Sequence, residues 1–444
     1  MSTSTMTGQG SWYSAITPSQ WKTMIASNLG WMFDGYETFA LIICAGAAMH
    51  QLLVPSEYSH IPAYVGTVIA ITLLGWGLGG VIGGVIADYI GRRRTMILAI
   101  LAYSLTTGLS AISWDWVSFA LLRFLVGIAI GSEWSTGTSM TAEAWPPSAR
   151  GRGAALMHCG LGVGFFLASF AWLYVSGYGP NAWRIMFVIG ILPALFTLWL
   201  RTGVSESQLW EQTNDKRKAA QGKLKSGASL GTEDQRLTRF TFADLFAERE
   251  IRNRTIVLFL MSLATTVGWW GIATWVAPFT GRLAVAQHLP QHVWEAYAGM
   301  AYNGAAILGY ITLGFAADFF GRKPVLMVFY VGALIMTPVF YMWTTSLHLL
   351  VLLAAINGFF TLGQYSWMSV WLPEQYPTRM RATGMAFVFN SPRFIACLGP
   401  LFAGVLISQF GGFGNMAVAF SLIYVLGFVL VPFLPETKGK ALPA

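Results

Sequence analysis

Charged side chains are scarce in this chain: Asp, Glu, Lys and Arg make up 10% of its 444 residues, against about 25% in an ordinary soluble domain. A fully wetted surface is thereby excluded, and lipid is the expected solvent for most of it. Cysteine is also rare. Cys44, Cys159 and Cys397 each stand inside an apolar run, an odd number without paired spacing, so neither a disulfide framework nor a zinc site is expected. No G-x-x-x-x-G-K-[ST] sequence occurs, which leaves ATP-driven transport without support. The net charge is +8, but no basic tract is interleaved with exposed aromatics, so nucleic acid is not an expected partner. The opening MSTSTMTGQGSWYSAITPSQWK has no basic segment followed by an apolar core and cleavage site, and a cleavable signal peptide is not expected. No metal cluster, nucleophile and base pair or appended soluble domain is found. An enzyme or sensor is therefore not the expected reading, and no cofactor or metal is expected.

What is abundant is apolar sequence, 55% of the chain. About 20 largely apolar residues cross about 30 Å of hydrocarbon, and twelve such runs occur, at 22–49, 64–87, 95–113, 116–142, 151–176, 183–201, 254–280, 293–317, 324–344, 347–372, 381–408 and 413–434. The expected fold is an all-α membrane protein of twelve transmembrane helices, divided into 1–201, a central loop 202–253, and 254–444. Of the 27 Lys and Arg, 23 fall on one side of these spans, the exceptions being Arg123, Arg184, Arg282 and Arg393. That bias puts both termini in the cytoplasm. The KRKAAQGKLKSGASLGTEDQR stretch reads as a solvated loop, and FTFADLFAERE as a short amphipathic helix on the membrane surface. Trp114, Trp116 and Trp183 read as an aromatic belt on the opposite side.

The two halves repeat each other. GVIADYIGRRR from Gly84 and GFAADFFGRK from Gly314 share G-x-x-x-D-x-x-G-R at an offset of 230; RGRGA from Arg150 and RMRAT from Arg379 lie 229 apart. Spans four and ten match at 231, pairing Glu133 with Gln364 and Glu143 with Glu374. Two pseudo-symmetric six-helix bundles follow, an arrangement suited to a carrier whose halves rock about a central site. Gly75-Trp76-Gly77-Leu78-Gly79-Gly80 satisfies G-x-G-x-x-G, but no strand precedes it, so helix packing is the expected role of these glycines rather than dinucleotide binding.

The doubled loop, Gly84 to Arg93 and Gly314 to Lys323, resembles the signature of the major facilitator superfamily. Arg123-F-L-V-Gly127 and P-Glu436-Thr437-K-Gly439-K agree with it. Within that superfamily, RFLVGIAIGSEWSTGTSMTAEAWPPSARGRG and GVSESQLWEQ are most similar to the proton symporters of organic acids, the sialate and lactate group. DGYE at Asp34 to Glu37 is similar to the acidic motif of the aromatic-acid symporters, with Glu37 where those have Asp. The resemblance implies a secondary carrier in a bacterial inner membrane. In the loops, Asp88 with Arg92 and Asp318 with Arg322 are expected to latch one conformation through ion pairs or helix N-termini; topology control by Arg alone is the plainer reading.

An ionisable group at mid-membrane costs about 2.5–3.5 kcal/mol on the insertion scale. Asp34, Glu37, Arg123 and Glu133 in the first half and Arg393 in the second therefore ask for a reason. Asp34 and Glu37, three residues apart, share a helix face. One division has Arg123 locking one of them while the other, or Glu133, carries the proton; a permanent ion pair or helix cap is the structural alternative. Arg393, which aligns with Gly164 at the 229 offset, is a candidate for bidentate binding of a carboxylate, with Asn390 one turn earlier adding a hydrogen bond; snorkelling is the alternative. Gln364, Tyr365, Trp269, Asn303, Trp270, Tyr302, Asn357 and His158 are candidate cavity residues, although each singly is more often packing.

The expected function is proton-coupled uptake of an organic-acid anion, such as a monocarboxylate, aromatic acid or sugar acid, by a monomer. The alternative is a proton-coupled antiporter exporting a cationic or drug-like compound. Against it, GLGVGFFLAS stands in span five where antiporters of the superfamily carry G-x-x-x-G-P.

Overall fold

Thr17 and Gln20 decide where the first span begins. The Thr17 hydroxyl accepts the Gln20 N–H at 3.3 Å while Gln20 Oε1 accepts the Thr17 N–H at 2.8 Å, a reciprocal cap, and Pro18 has no N–H to lose in the first turn. In the computed structural model, which describes residues 12–343 and 345–443, the resulting helix α1 runs Pro18–Leu52, longer at both ends than the expected 22–49. The first half continues through α2 (Ile61–Ile90), α3 (Arg92–Ser110), α4 (Trp116–Gly131), α5 (Glu133–Ala144), α6 (Arg150–Val175), α7 (Ala182–Ile189) and α8 (Pro193–Gly203). Here α4 with α5, and α7 with α8, are single crossings interrupted near mid-length.

The polar link is largely exposed, as expected, but helical rather than irregular. It folds into α9 (Gln208–Lys225), α10 (Thr232–Thr238) and α11 (Thr241–Ala247). Arg217 of α9 is buried and donates to the Asp88 carbonyl at 2.5 Å and the Arg379 carbonyl at 2.8 Å. The link is thus a strap across both halves. Phe242 and Phe246 of α11 rest edge-on against Phe387 at 5.7 and 5.6 Å, so this helix turns its apolar face to the protein.

The second half comprises α12 (Arg249–Ala286), α13 (Gln291–Phe320), α14 (Arg322–Met342), α15 (Leu347–Thr361), α16 (Trp367–Trp371), α17 (Arg381–Asn390), α18 (Arg393–Ala396), α19 (Leu398–Leu401), α20 (Ala403–Gln409), α21 (Phe413–Ser421) and α22 (Ile423–Leu430). α15 and α16 form one crossing, α17 to α20 another, and α21 with α22 the last, giving twelve spans in two bundles of six. Among the described residues, nine helical stretches are long and apolar enough to cross a membrane unaided. The other three spans explain themselves: the third opens on Arg92-Arg93-Arg94, and the sixth and eleventh are broken beside Pro193 and Pro392, which supply no N–H to the helix ladder. Trp114 is exposed, as a belt residue should be, but Trp183 is buried and donates to Gln51 Oε1 at 2.7 Å. Its role is internal.

The halves meet where α2 packs on α17 and α6 on α13. Gly84 and Gly314 make these crossings close: a Cβ on Gly84 would overlap Ala386, and one on Gly314 would overlap Ala155. Gly314→Val is expected to prise the halves apart on the side of the basic loops. Ser139, buried against Met385 across the crossing, provides the reporter: a cysteine placed there should gain reactivity toward a water-soluble thiol reagent by about tenfold or more, given the roughly 1–3 kcal/mol that overpacking costs.

Candidate functional site

Two sites emerge, a gate at the basic loops and a chamber at mid-membrane. The gate is built twice. Asp88 ends α2, pairs with Arg92 at 3.0 Å, and accepts the N–H and hydroxyl of Thr383 at 2.9 and 2.7 Å. Asp318 ends α13, pairs with Arg322 at 3.1 Å, and accepts the N–H groups of Gly151 and Arg152 at 3.2 and 3.0 Å. Each carboxylate therefore reaches from one half to a helix N-terminus of the other, where the dipole and free N–H groups favour it. A second acid supports each: Glu143 lies 3.4 Å from Arg92 and 2.8 Å from Arg381, and Glu374 lies 2.8 Å from Arg322 and 3.7 Å from Arg150.

This geometry corrects the repeat. The mate of Arg150 is Arg381, 231 residues on, not Arg379: both donate Nε to a carbonyl eight residues earlier, at 3.2 and 3.1 Å. On the same register Arg393 corresponds to Gly162 rather than Gly164. A further matched pair, Glu206 and Glu436, binds the first N–H of α3 and of α14, each at 3.1 Å. Burial alone would raise the Glu436 carboxyl, but backbone N–H groups of Arg322, Lys323, Lys438 and Thr437 outweigh it and hold it below the usual carboxylate range.

In the chamber, α1 carries Asp34 and Glu37, and tertiary packing separates their surroundings. Glu37 ion-pairs with Arg123 of α4, which also donates to Ser110 Oγ at 3.0 Å and lies 4.5 Å over the Phe187 ring. Among the described residues Asp34 has no cation within ion-pairing distance and neither of its oxygens has a hydrogen-bond partner, while Glu133 is a neighbouring acid. Glu133 opens α5 just past the break in span four, its carboxylate so close to Gly30 that a Cβ there would overlap it. Glu37→Gln is expected to lower the melting temperature in detergent strongly, because breaking a buried ion pair costs about 3–5 kcal/mol. An unchanged melting temperature would show that Arg123 finds another partner.

The second half interrupts its tenth span at the matching place. Gln364 and Tyr365 lie in a 3-10 turn, Gly363–Ser366. The Tyr365 hydroxyl donates to Thr266 Oγ1 at 3.1 Å, and the Trp269 ring stands edge-on 5.5 Å away. Gln364 donates to the Thr361 carbonyl at 3.2 Å and leaves Oε1 unpartnered. His158 of α6 joins the halves, its Nδ1 2.5 Å from Ser369 Oγ. Arg393 is fully buried, yet among the described residues it has no carboxylate within ion-pairing distance. Its guanidinium lies 4.3 Å over both Trp76 and Phe389, Nη1 donates to the Phe389 carbonyl, and Nε has no partner. Toward the side away from the gate, a narrow cleft of about 10 Å³, room for a single water, is lined by Glu37, Thr72, Trp76, Arg123, Ile130 and Trp270.

A gate duplicated by pseudo-symmetry and buried charges at two broken helices are features of a rocking carrier. The family model described as "Sugar (and other) transporter" matches residues 22–444. The chain belongs to this transporter family. It is similar to the sialic acid transporter NanX of Escherichia coli, 26% identical with 93% of each chain covered. It is likewise similar to the cis,cis-muconate transport protein of Acinetobacter baylyi, 26% identical over 87% of this chain and 88% of that one. In fold it matches the major facilitator superfamily proton:xylose symporter XylE, with a TM-score of 0.75 at 19% identity, covering 96% of this chain and 98% of the other. The transporter is accordingly a multi-pass membrane protein moving a small molecule, not an enzyme.

Within this transporter the residues singled out from sequence divide into groups. Asp34 and Glu133 come together, as do Glu37 and Arg123; Tyr365 packs on Trp269 and on the Phe389 ring that Arg393 also lies over. Asn390 is engaged at a helix contact, donating to the Ala386 carbonyl at 2.9 Å with its amide against Gly80. Asn303 lies where α13 crosses α6, both amide atoms unpartnered. Sequence reading missed the anchoring by Glu206 and Glu436, although Ser205-Glu206-Ser207 and Pro435-Glu436-Thr437 stand 230 apart.

Proposed function

We propose that the transporter is a proton symporter that takes an organic-acid anion into a bacterial cell across the cytoplasmic membrane. In this reading it works as a monomer, with the gate and both termini on the cytoplasmic side. The observation that carries the proposal is a division of unpaired buried charge. Among the described residues, Asp34 and Glu133 in one half have no cation within ion-pairing distance, and Arg393 in the other has no carboxylate. Relatives named for sialic acid and cis,cis-muconate, both acids, support the class of cargo.

Charge counting gives the cycle. Glu37 and Arg123 cancel. Two adjacent carboxyls away from water do not both ionise, so Asp34 and Glu133 share one proton when empty, and their single negative charge offsets Arg393. Binding a monocarboxylate to Arg393 and a second proton to the carboxyl pair again leaves the chamber neutral. Both the empty and the loaded forms can then close without burying net charge, and one proton accompanies one anion. Arg393 receives the carboxylate at its Nε edge, since Nη1 is committed to Phe389. Gln364, Tyr365 and Trp269 line the neutral part of the cargo, with Asn303 and Asn390 at the helix contacts behind it. Asp88, Arg92, Asp318 and Arg322 hold the gate closed until the halves rock.

Proteoliposomes with an acid exterior test this with radiolabelled lactate, sialate and benzoate. At least one acid should accumulate with the pH gradient, at a rate unaltered by a potassium and valinomycin clamp of the membrane potential. Exchange of a cationic dye against the gradient, with no acid accumulated, would overturn symport in favour of efflux.

A further inference from the structure

Between Gly75 and Gly80, α2 buries one large side chain, Trp76, and turns Leu78 outward. The glycines bring two neighbours close. A Cβ on Gly75 or Gly79 would overlap the backbone of α4 at Phe124 and Ile128; one on Gly80 would overlap the Asn390 amide, and one on Gly77 would press on the Phe394 ring. With Gly80 against Asn390 and Gly77 against Phe394, Trp76 falls level with Arg393. The guanidinium of Arg393, in the second half, lies 4.3 Å over the Trp76 ring, in the first.

The repeat marks this contact as an addition. At the 230 offset that relates Gly84 to Gly314, Trp76 corresponds to Ala306, and on the register of Arg150 and Arg381, Arg393 corresponds to Gly162. The matching crossing, α6 on α13, brings Gly162 to Ile307, next to Ala306. One copy of the crossing therefore has neither ring nor cation at these positions, and the other has both. A guanidinium buried without an anion has lost its hydration, and an indole face is the strongest aromatic partner for such a cation. Phe389 offers a ring at the same 4.3 Å, but from Arg393's own half. Trp76 Nε1 has no hydrogen-bond partner, so the face of this ring, not its N–H, is what the contact uses.

We infer that Trp76 is a positioning residue for transport: its ring fixes the plane of the Arg393 guanidinium from the opposite half, so the anion site is shared between the halves and complete only while they meet at mid-membrane. The inference rests on the reading of Arg393 as the anion site and adds the group that aims it. The Phe389 carbonyl holds Nη1 and the Trp76 ring holds the plane, which leaves the Nε edge to a carboxylate. In the empty carrier the π-face offsets part of the cost of an unpaired charge. In the loaded carrier the carboxylate lies in the guanidinium plane, at its edge, and does not displace the ring. Parting of the halves at this depth withdraws the ring and loosens the hold on the cargo.

Fluorinated tryptophans at position 76, introduced by nonsense suppression, keep the shape of indole while each fluorine weakens its π-face. Uptake into proteoliposomes is measured with whichever of radiolabelled lactate, sialate and benzoate the wild type accumulates. KM is expected to rise stepwise from mono- to trifluorotryptophan, reaching about tenfold, as weakening of a desolvated cation–π contact allows. Trp76→Leu should raise KM by about tenfold or more, but by about twofold or less in an Arg393→Lys background, where there is no planar fork to aim. A KM that stays flat across the fluorinated series would overturn the role of Trp76, as would effects of Trp76→Leu and Arg393→Lys that simply multiply. In both cases a raised KM in Arg393→Lys alone would leave the anion site standing. Accumulation of no acid, or an unaltered KM in Arg393→Lys, would remove the anion site and the inference with it.

Discussion

Asp34→Asn combined with Glu133→Gln is expected to abolish accumulation driven by a pH gradient while exchange of labelled for unlabelled acid persists. The amides keep the shapes of the side chains but cannot release or take up a proton. With both carboxyls replaced, the empty chamber holds the Arg393 charge with no carboxylate to offset it and resists closing, whereas the loaded chamber, Arg393 with its bound anion, is neutral without any proton. In a one-to-one symport each pH unit supplies about 1.4 kcal/mol, worth about tenfold in accumulation. With two units of gradient the ratio of internal to external acid should fall from about a hundred toward one. Counterflow needs only that the loaded carrier rock, so it reports that the variant is folded and binds. Wild-type accumulation in the double variant would move the proton out of the chamber.

Arg393→Lys should raise KM by roughly 30- to 150-fold, the equivalent of about 2–3 kcal/mol for a buried charge pair. An ammonium is a point charge. It lacks the planar fork that receives both carboxylate oxygens, and it stacks less well between Trp76 and Phe389. The companion measurement is stability. Arg393 is buried without an anion, so Arg393→Met should lose uptake without lowering the melting temperature. Function and folding part company at this position, in contrast to Glu37, whose loss leaves Arg123 buried and unpaired. An Arg393→Lys carrier with unaltered KM for an acid would sink the bidentate role.

Much of the fold was legible before any coordinates. Apolar runs of the right length mark the spans because lipid leaves a backbone no partner except its own helix. The spacing of G-x-x-x-D-x-x-G-R marks the duplication because the turn after each Asp needs its glycine. Gly91 and Gly321 have φ of 107° and 100°, a region that side chains with a Cβ avoid. Arg379 was the error. Two arginines, Arg379 and Arg381, stand in RMR, and sequence spacing cannot say which of them folds back onto a carbonyl. The central link is exposed as its Lys- and Gln-rich composition says, but composition does not show that one buried residue, Arg217, fastens it to both halves.

By itself the sequence determined that this is a twelve-span duplicated membrane carrier, and it named most of the charges that matter. Length, hydropathy and repetition are properties of the chain, and burying an ionisable group in lipid is costly wherever the helix lies. Only the tertiary structure decided how those charges divide. Asp34 and Glu37 sit one turn apart on α1, but helix rotation and the break in span four put Arg123 against one and Glu133 against the other. Which acid is neutralised and which stays open depends on distances of a few ångströms between helices far apart in sequence, and in a dry chamber those distances decide whether a carboxyl is held as an ion pair or left free to take a proton.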